Sequence, residues 1–327
     1  MTDGILFAMI GVTKAKALNP SGCGAFFYLQ KGGFIMKMRK KKSIFMSLVL
    51  SLVMLLSLTG CGSSEQAGSS SDSTSSEKKV LKVGMECMNA PYNWSQTDDS
   101  NGAVPIEGTT EYVNGYDVMM AKKIADELGY ELQIVKLDWD SLVPAVQSGQ
   151  VDCVIAGQSI TKERQQMVDF TDTYYYASII TLVKNDGDYK DAASVEDLKG
   201  ATVTSQQNTI WYDSCLPQIP DADILPAQES APAMLVALES GKCDAVVTDM
   251  PTGKAACVAY PDFKLLDFSG TDGAFEVSDE DINIGISVQR GNDELKDAIN
   301  GVLKDMTEDD YNKMMDEAIS VQPLSES

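Results

Sequence analysis

The sequence predicts an α/β fold of two similar lobes, each a sheet with helices on both faces. Three observations carry this. From residue 80 onward, short apolar runs of strand type alternate with helix-type stretches. The order repeats in the second half of the chain. One segment also has an internal echo: "LVPAVQSGQVDCVIAG" and "MLVALESGKCDAVVTD" share a helix, a Ser-Gly stop, an Asp and an apolar strand. Gly149, Asp152 and Gly157 lie 92 residues before Gly241, Asp244 and Asp249.

The elements follow in order. "VLKVGM" (80–85) reads as a strand. The polar stretch 97–113 reads as an extended loop. "GYDVMMAKKIADELG" (115–129) is an amphipathic helix stopped at Gly129, where glycine reaches left-handed backbone without penalty. "ELQIVK" is a strand, "WDSLVPAVQSG" (139–149) a helix and "VDCVIAG" (151–157) a strand. In the second half, "SVEDLKG" is a short helix with Ser194 as its N-cap, and "ATVTS" is a strand. "NTIWYDSC" (208–215) reads as a helix, "ADILP" as a strand, "ESAPAMLVALESG" as a helix and "CDAVVTD" as a strand. Ligands of open α/β sheets bind beyond the carboxyl ends of strands. Gly157 and Asp249 stand at such ends, and facing lobes would bring both edges into one cleft.

Charge narrows the function. The 327 residues carry a formal charge of −22. Eight of the basic residues lie within residues 1–60, so the remainder stands at −29. Nucleic acid is a poor partner for such a surface. The chain has no histidine, which removes Ser-His-Asp and Cys-His catalysis and His-containing zinc sites. No metal or cofactor motif is present, and no Cys-x-x-Cys occurs. Cys153 and Cys243 fall inside strand patterns as small core residues. Six of the seven cysteines lie beyond residue 60; with Cys61 among them set aside, five remain there, and no disulfide framework is expected.

The N-terminal region reads as processing signals. Lys37, Arg39 and Lys40 to Lys42 form a basic patch before the apolar run Ile44 to Leu58, which is too short to span a membrane comfortably. "LTGC", ending at Cys61, resembles a bacterial lipobox, whose Cys is lipidated (palmitate included). Residues 36–60 are then a lipoprotein signal peptide, and 1–35 an extension from a start codon called too early. Residues 61–79 form a Ser/Gly-rich tether.

Five segments in order resemble the family 3 extracellular solute-binding proteins, the receptors of polar amino-acid ABC importers. They are "LKVGMECMNAPYNW", "GYDVMMAKKIADELG", "WDSLVPAVQSGQVDCVIAGQSITKERQQMVDFTDTYY", "LKGATVTSQQNT" and "GKCDAVVTD". The resemblance implies a two-lobed fold like the periplasmic binding proteins of type II, with two crossing hinge strands, "ASIITLVK" (177–184) and "INIGISVQR" (282–290). Residues 80–178 and 282–327 would make the first lobe and 179–281 the second.

The resemblance also implies a binding site. Arg164 is one of three arginines in the chain, and it would grip the ligand's α-carboxylate with two parallel N–H groups, which lysine cannot do. Arg290 reads as structural. Ser159 would serve both ends of the ligand, and Gly157 would offer its carbonyl to the ammonium. Thr209 would open a helix toward the carboxylate, with Asn208 in place of the usual glycine. Asp249 would pair with the ammonium, cap the helix "MPTGKAACVAY", or do both. Glu86, Trp139, Asn89 and Tyr92 would meet the ligand's side chain. Asn89 stands where the family often has an aromatic lid, so Tyr92 or Trp94 would supply that ring. A carboxylate beside an aromatic wall favours ligand side chains with donors or positive charge.

The resulting expectation is a monomeric lipoprotein on the outer face of the cell membrane, or on its periplasmic side. It would hold an L-amino acid, polar or cationic, and deliver it to an ABC transporter permease. It would need no cofactor and catalyse nothing. The alternative is an enzyme on the same scaffold, a dehydratase or lyase of an amino-acid-like acid.

Overall fold

The computed structural model describes residues 78–323. The signal segment, Cys61 and all but the last two tether residues lie outside the described residues.

The first sheet begins with β1 (Val80–Met85), whose Leu81, Val83 and Met85 are buried. β2 (Met88–Asn89), β3 (Asn93–Gln96), β4 (Val104–Pro105) and β5 (Tyr112–Asn114) then form a small antiparallel sheet in the order β2-β3-β5-β4. This corrects the reading of 97–113 as a loop. Ile106 bridges to Ile134, and Lys136 Nζ lies 3.5 Å from Glu111, so the segment is knitted onto the edge of the main sheet. α1 (Tyr116–Leu128) ends at Gly129 with φ +68, and β6 (Glu131–Lys136) runs parallel to β1.

A 3-10 turn at Trp139–Ser141 precedes α2 (Leu142–Ser148), which ends at left-handed Gly149. The strand read over 151–157 pairs only as β7 (Cys153–Val154), because the chain turns at Gly157, where φ is +61. α3 (Lys162–Gln165) and β8 (Asp169–Tyr176) follow.

The second sheet holds β9 (Ile179–Lys184), β10 (Thr202–Thr204), β11 (Asp223–Ile224), β12 (Ala245–Asp249) and β13 (Phe263–Leu266), in the order β11-β10-β12-β9-β13. α4 (Ala231–Glu239) and α5 (Met250–Ala259) lie beside it. Alternate residues face opposite layers, as strand geometry requires. Val183 and Val247 join one core with Leu198 and Phe268, whereas Leu182 and Val246 join another with Met234 and Leu238. Two helices expected here are single turns: a 3-10 turn at Glu196–Leu198, and a π turn at Trp211–Cys215 running into the 3-10 turn Leu216–Gln218. Pro217 has no N–H to continue a regular helix.

α6 (Asp279–Ile282) leads back into β14 (Asn283–Val288), which enters the first sheet between β7 and β8, giving β6-β1-β7-β14-β8. α7 (Asp293–Lys304) and α8 (Glu308–Val321) then pack on α1. The chain therefore passes between the sheets twice, and the two passages are bonded to each other through Ala177 N–H and Ile282 O at 3.0 Å.

The sequence echo is a structural repeat. Asp152 Oδ2 accepts the Lys82 N–H at 2.8 Å, and Asp244 Oδ2 accepts the Thr202 N–H at 2.8 Å. Cys153 sits opposite Val83, and Ala245 opposite Val203, both in parallel pairs. In each lobe a glycine-capped helix delivers an aspartate that clips the start of the neighbouring strand.

Candidate binding site between the lobes

Arg164 sits on the single turn α3, whose start is capped by Thr161 Oγ1 accepting the Arg164 N–H at 3.2 Å. Its Nη1 donates to Ser159 O at 2.9 Å, and its Nη2 donates to Asn208 O of the second lobe at 2.9 Å. The guanidinium carbon lies 5.3 Å from the centre of the Trp139 ring, a cation–π arrangement. Trp139 Nε1 also donates to Asn208 O, at 3.4 Å. Burial pulls the Arg164 pKa down to about 10, against the opposing pull of Glu163 and Asp213, so the side chain stays charged at neutral pH. Ser159 meets Arg164 through its carbonyl; its hydroxyl forms no bond to Arg164.

Asn208 takes the left-handed backbone expected of it, with φ +54. Thr209 is buried, and its hydroxyl donates to Gln206 O at 2.7 Å. Trp139, Asp140, Arg164, Asn208 and Thr209 line a groove of roughly 480 Å³ at this contact, and Asp249, Tyr92, Gly157, Glu86 and Asn89 are not among its lining residues.

The other charged end is Asp249, the last residue of β12 and the N-cap of α5. Its Oδ1 accepts the Thr252 N–H at 2.9 Å, and its Oδ2 accepts the Tyr92 hydroxyl of the first lobe at 2.8 Å. The residue is 1% exposed, and burial raises its pKa, opposed by the bonds from Thr252 and Tyr92. Tyr92 lies flat against Gly157: a Cβ there would come within 3.2 Å of the ring. Tyr92 is thus the aromatic that meets both Gly157 and Asp249. Trp94 is buried in the first-lobe core, with its Nε1 on Gln96.

Glu86 is buried, and its Oε1 accepts from Gln206 Nε2 of the second lobe at 3.4 Å. Its Oε2 and the Oδ1 of buried Asn89 have no hydrogen-bond partner. Burial is the main cause of a Glu86 pKa near 8, helped by the negative charges of Asp117, Asp138 and Asp140.

Three participants escaped the sequence reading. Gln206 reaches Glu86 from 120 residues away, and only its place beside Thr209 could have flagged it. Asp140 is bonded by Gln207 and Asn208 across the lobes, with no local signal. Asp117 is buried at the start of α1, accepting from Tyr174 Oη and Asn93 Nδ2, each at 2.7 Å. Tyr174 Oη in turn accepts the Gly157 N–H at 3.1 Å, and Asn93 Oδ1 accepts the Cys87 N–H at 2.7 Å. Asp117 thereby ties together the two first-lobe loops that carry Gly157 and Glu86. An acid one residue into a helix, preceded by an aromatic, was its only sequence mark.

The family described as bacterial extracellular solute-binding proteins, family 3, matches residues 81–320. The glutamine-binding protein GlnH of an ABC transporter in Bacillus subtilis is 29% identical over 272 residues, 82% of this chain and 93% of that protein. The arginine-binding extracellular protein ArtP of the same organism is 33% identical over 163 residues, 50% of this chain, and the match spans only 55% of ArtP. Among solved structures, the amino-acid ABC transporter substrate-binding protein AbpA of Streptococcus pneumoniae, bound to L-arginine, superposes with a TM-score of 0.62 at 26% identity. That superposition covers 74% of this chain and 94% of AbpA.

Proposed function

Because the chain belongs to the family 3 bacterial extracellular solute-binding proteins, we propose that it captures one L-amino acid between its lobes and delivers it to an ABC importer. One observation carries the reading. A permanent cation on the first lobe and a buried acid on the second are each engaged across the cleft by neutral groups, Arg164 by Asn208 O and Asp249 by Tyr92 Oη. An amino acid's carboxylate and ammonium are stronger partners for both, since charge-assisted bonds exceed neutral ones. A zwitterion that satisfies both ends also holds the lobes together.

The ligand's side chain carries N–H donors. Asn89 Oδ1 is a buried acceptor without a partner, Glu86 Oε2 becomes one when Glu86 ionises, and the carboxylates around Glu86 disfavour another negative charge. Arginine, glutamine, lysine and histidine therefore rank above glutamate and aspartate. A cationic side chain ionises Glu86 on binding and releases a proton. The protein stands outside the membrane, held by lipid on Cys61, and it acts as a monomer that returns its ligand chemically unchanged.

The test is a thermal-shift screen of the twenty amino acids. At a thousand times the dissociation constant, a ligand adds roughly 4 kcal/mol, or on the order of 10 °C for a chain of this size. A shift with a donor-bearing L-amino acid, recovered intact by mass spectrometry, is the expected result. No shift with any of the twenty would overturn the reading, and so would a converted product.

A further inference from the structure

We infer that Asp140, Gln207 and Asn208 form a latch that holds the two lobes closed without touching the ligand. Asp140 lies in the tight turn after Trp139 on the first lobe. Its Oδ1 accepts from Asn208 Nδ2 at 2.6 Å, and its Oδ2 accepts from Gln207 Nε2 at 2.8 Å. Both oxygens of one carboxylate are thus gripped by consecutive amides of the second lobe. Such bonds to a charged acceptor are stronger than neutral ones.

The backbone makes the grip available. Asn208 occupies left-handed φ, where glycine fits more easily. Glycine at that position would present the same backbone carbonyl to Arg164 and Trp139, but it has no amide. Asparagine is among the few other residues that reach this conformation, and it adds a cross-lobe donor. Asn208 therefore joins the lobes twice, by its carbonyl to Arg164 and Trp139 and by its side chain to Asp140. The carbonyl contacts belong to the binding end, whereas the amide contacts sit on the exposed rim.

Such a latch shifts the open–closed balance by the same amount for every ligand. It acts on escape from the closed form, so it slows dissociation of every ligand. The inference rests on the proposed function only for its binding readout.

Asp140→Ala removes the latch, Asn208→Gly removes one of its two bonds from the opposite side, and both positions are exposed. The probes are L-arginine as a cation and L-glutamine as a neutral ligand, followed by stopped-flow fluorescence. Asp140→Ala is expected to speed dissociation of both probes about tenfold, the scale of a bond to a charged group at an exposed rim, and Asn208→Gly to speed it less. The double variant adds little to Asp140→Ala, which already takes both bonds. The effect persists at high salt, because the donors are neutral amides. A change confined to the association rate of L-arginine, and erased by salt, would make Asp140 a steering charge and overturn the latch. Additive effects, or none, would overturn it equally. If the parent binds neither probe, the receptor reading fails for these ligands. The latch is then read from the same double-mutant cycle on ligand-free thermal unfolding, where non-additivity supports it and additivity overturns it.

Discussion

At the Arg164 end of the cleft the charged group is half-buried, and two backbone carbonyls, one from each lobe, meet its N–H groups. At the Asp249 end the charged group is buried, and its donors are a hydroxyl and a helix N-terminal N–H. The two ends respond differently to losing water. Arg164 drops only to about 10 and remains a cation, so geometry is the sensitive quantity there. Acids pushed upward by burial move toward the neutral range, as Asp249, Glu86 and Asp117 all do. At that end, protonation is the sensitive quantity.

The largest expected effect tests geometry. Arg164→Lys keeps the charge but loses the two-pronged donor set, and cutting a buried charged contact costs roughly 2–5 kcal/mol. Affinity for the best amino acid should fall on the order of a hundredfold by calorimetry. A loss under threefold would place the carboxylate elsewhere and remove the distinction between the two ends.

Tyr92→Phe tests the acid end. It takes one donor from Asp249 and leaves a buried oxygen unpaired, a loss of about 1–3 kcal/mol. The ligand-free melting temperature should fall by several degrees, at roughly 2–4 °C per kcal/mol. An unchanged melting point would mean that the Tyr92 bond adds nothing to the fold.

The smallest effect is a slope. Glu86 has a folded pKa near 8 against an ordinary value of 4.5, so between these limits the folded state holds a proton that the unfolded state has released. Stability linked to Glu86 is therefore full below about 4.5 and declines as pH rises toward 8. Asp117, with a pKa near 7, adds a decline of the same sign that ends earlier. Melting of the parent should fall from pH 5 to pH 8, and Glu86→Gln should make that fall shallower. An equally steep fall in the variant would show that Glu86 is ionised in the folded protein.

Much of the fold was legible because its determinants are local. The amphipathic period of α1 and its stop at Gly129, the Ser-Gly ends of α2 and α4, and the left-handed backbone at Asn208 all depend on a few neighbouring residues. The echo of Asp152 and Asp244 was legible too, since each repeats one helix-to-strand connection. The residues assigned to the cleft could be named from motifs, but not their bonds. Arg164 meets the carbonyls of Ser159 and Asn208, and nothing in "SITKER" distinguishes the carbonyl of Ser159 from its hydroxyl.

The amino-acid order alone determined the alternation of strand and helix, the two glycine-capped repeats and which residues are proposed to hold a zwitterion. Periodicity and backbone preference act over one or two turns of chain. Tertiary structure decided which of those residues meet. Tyr92 finds Asp249 from 157 positions away, Glu86 finds Gln206 from 120, and Asp140 finds Asn208 from 68. It also decided that residues 97–113 join a sheet and that "NTIWYDSC" stops at a π turn. These outcomes depend on how two separately packed sheets face each other across the paired crossings, and no local run of residues encodes that distance.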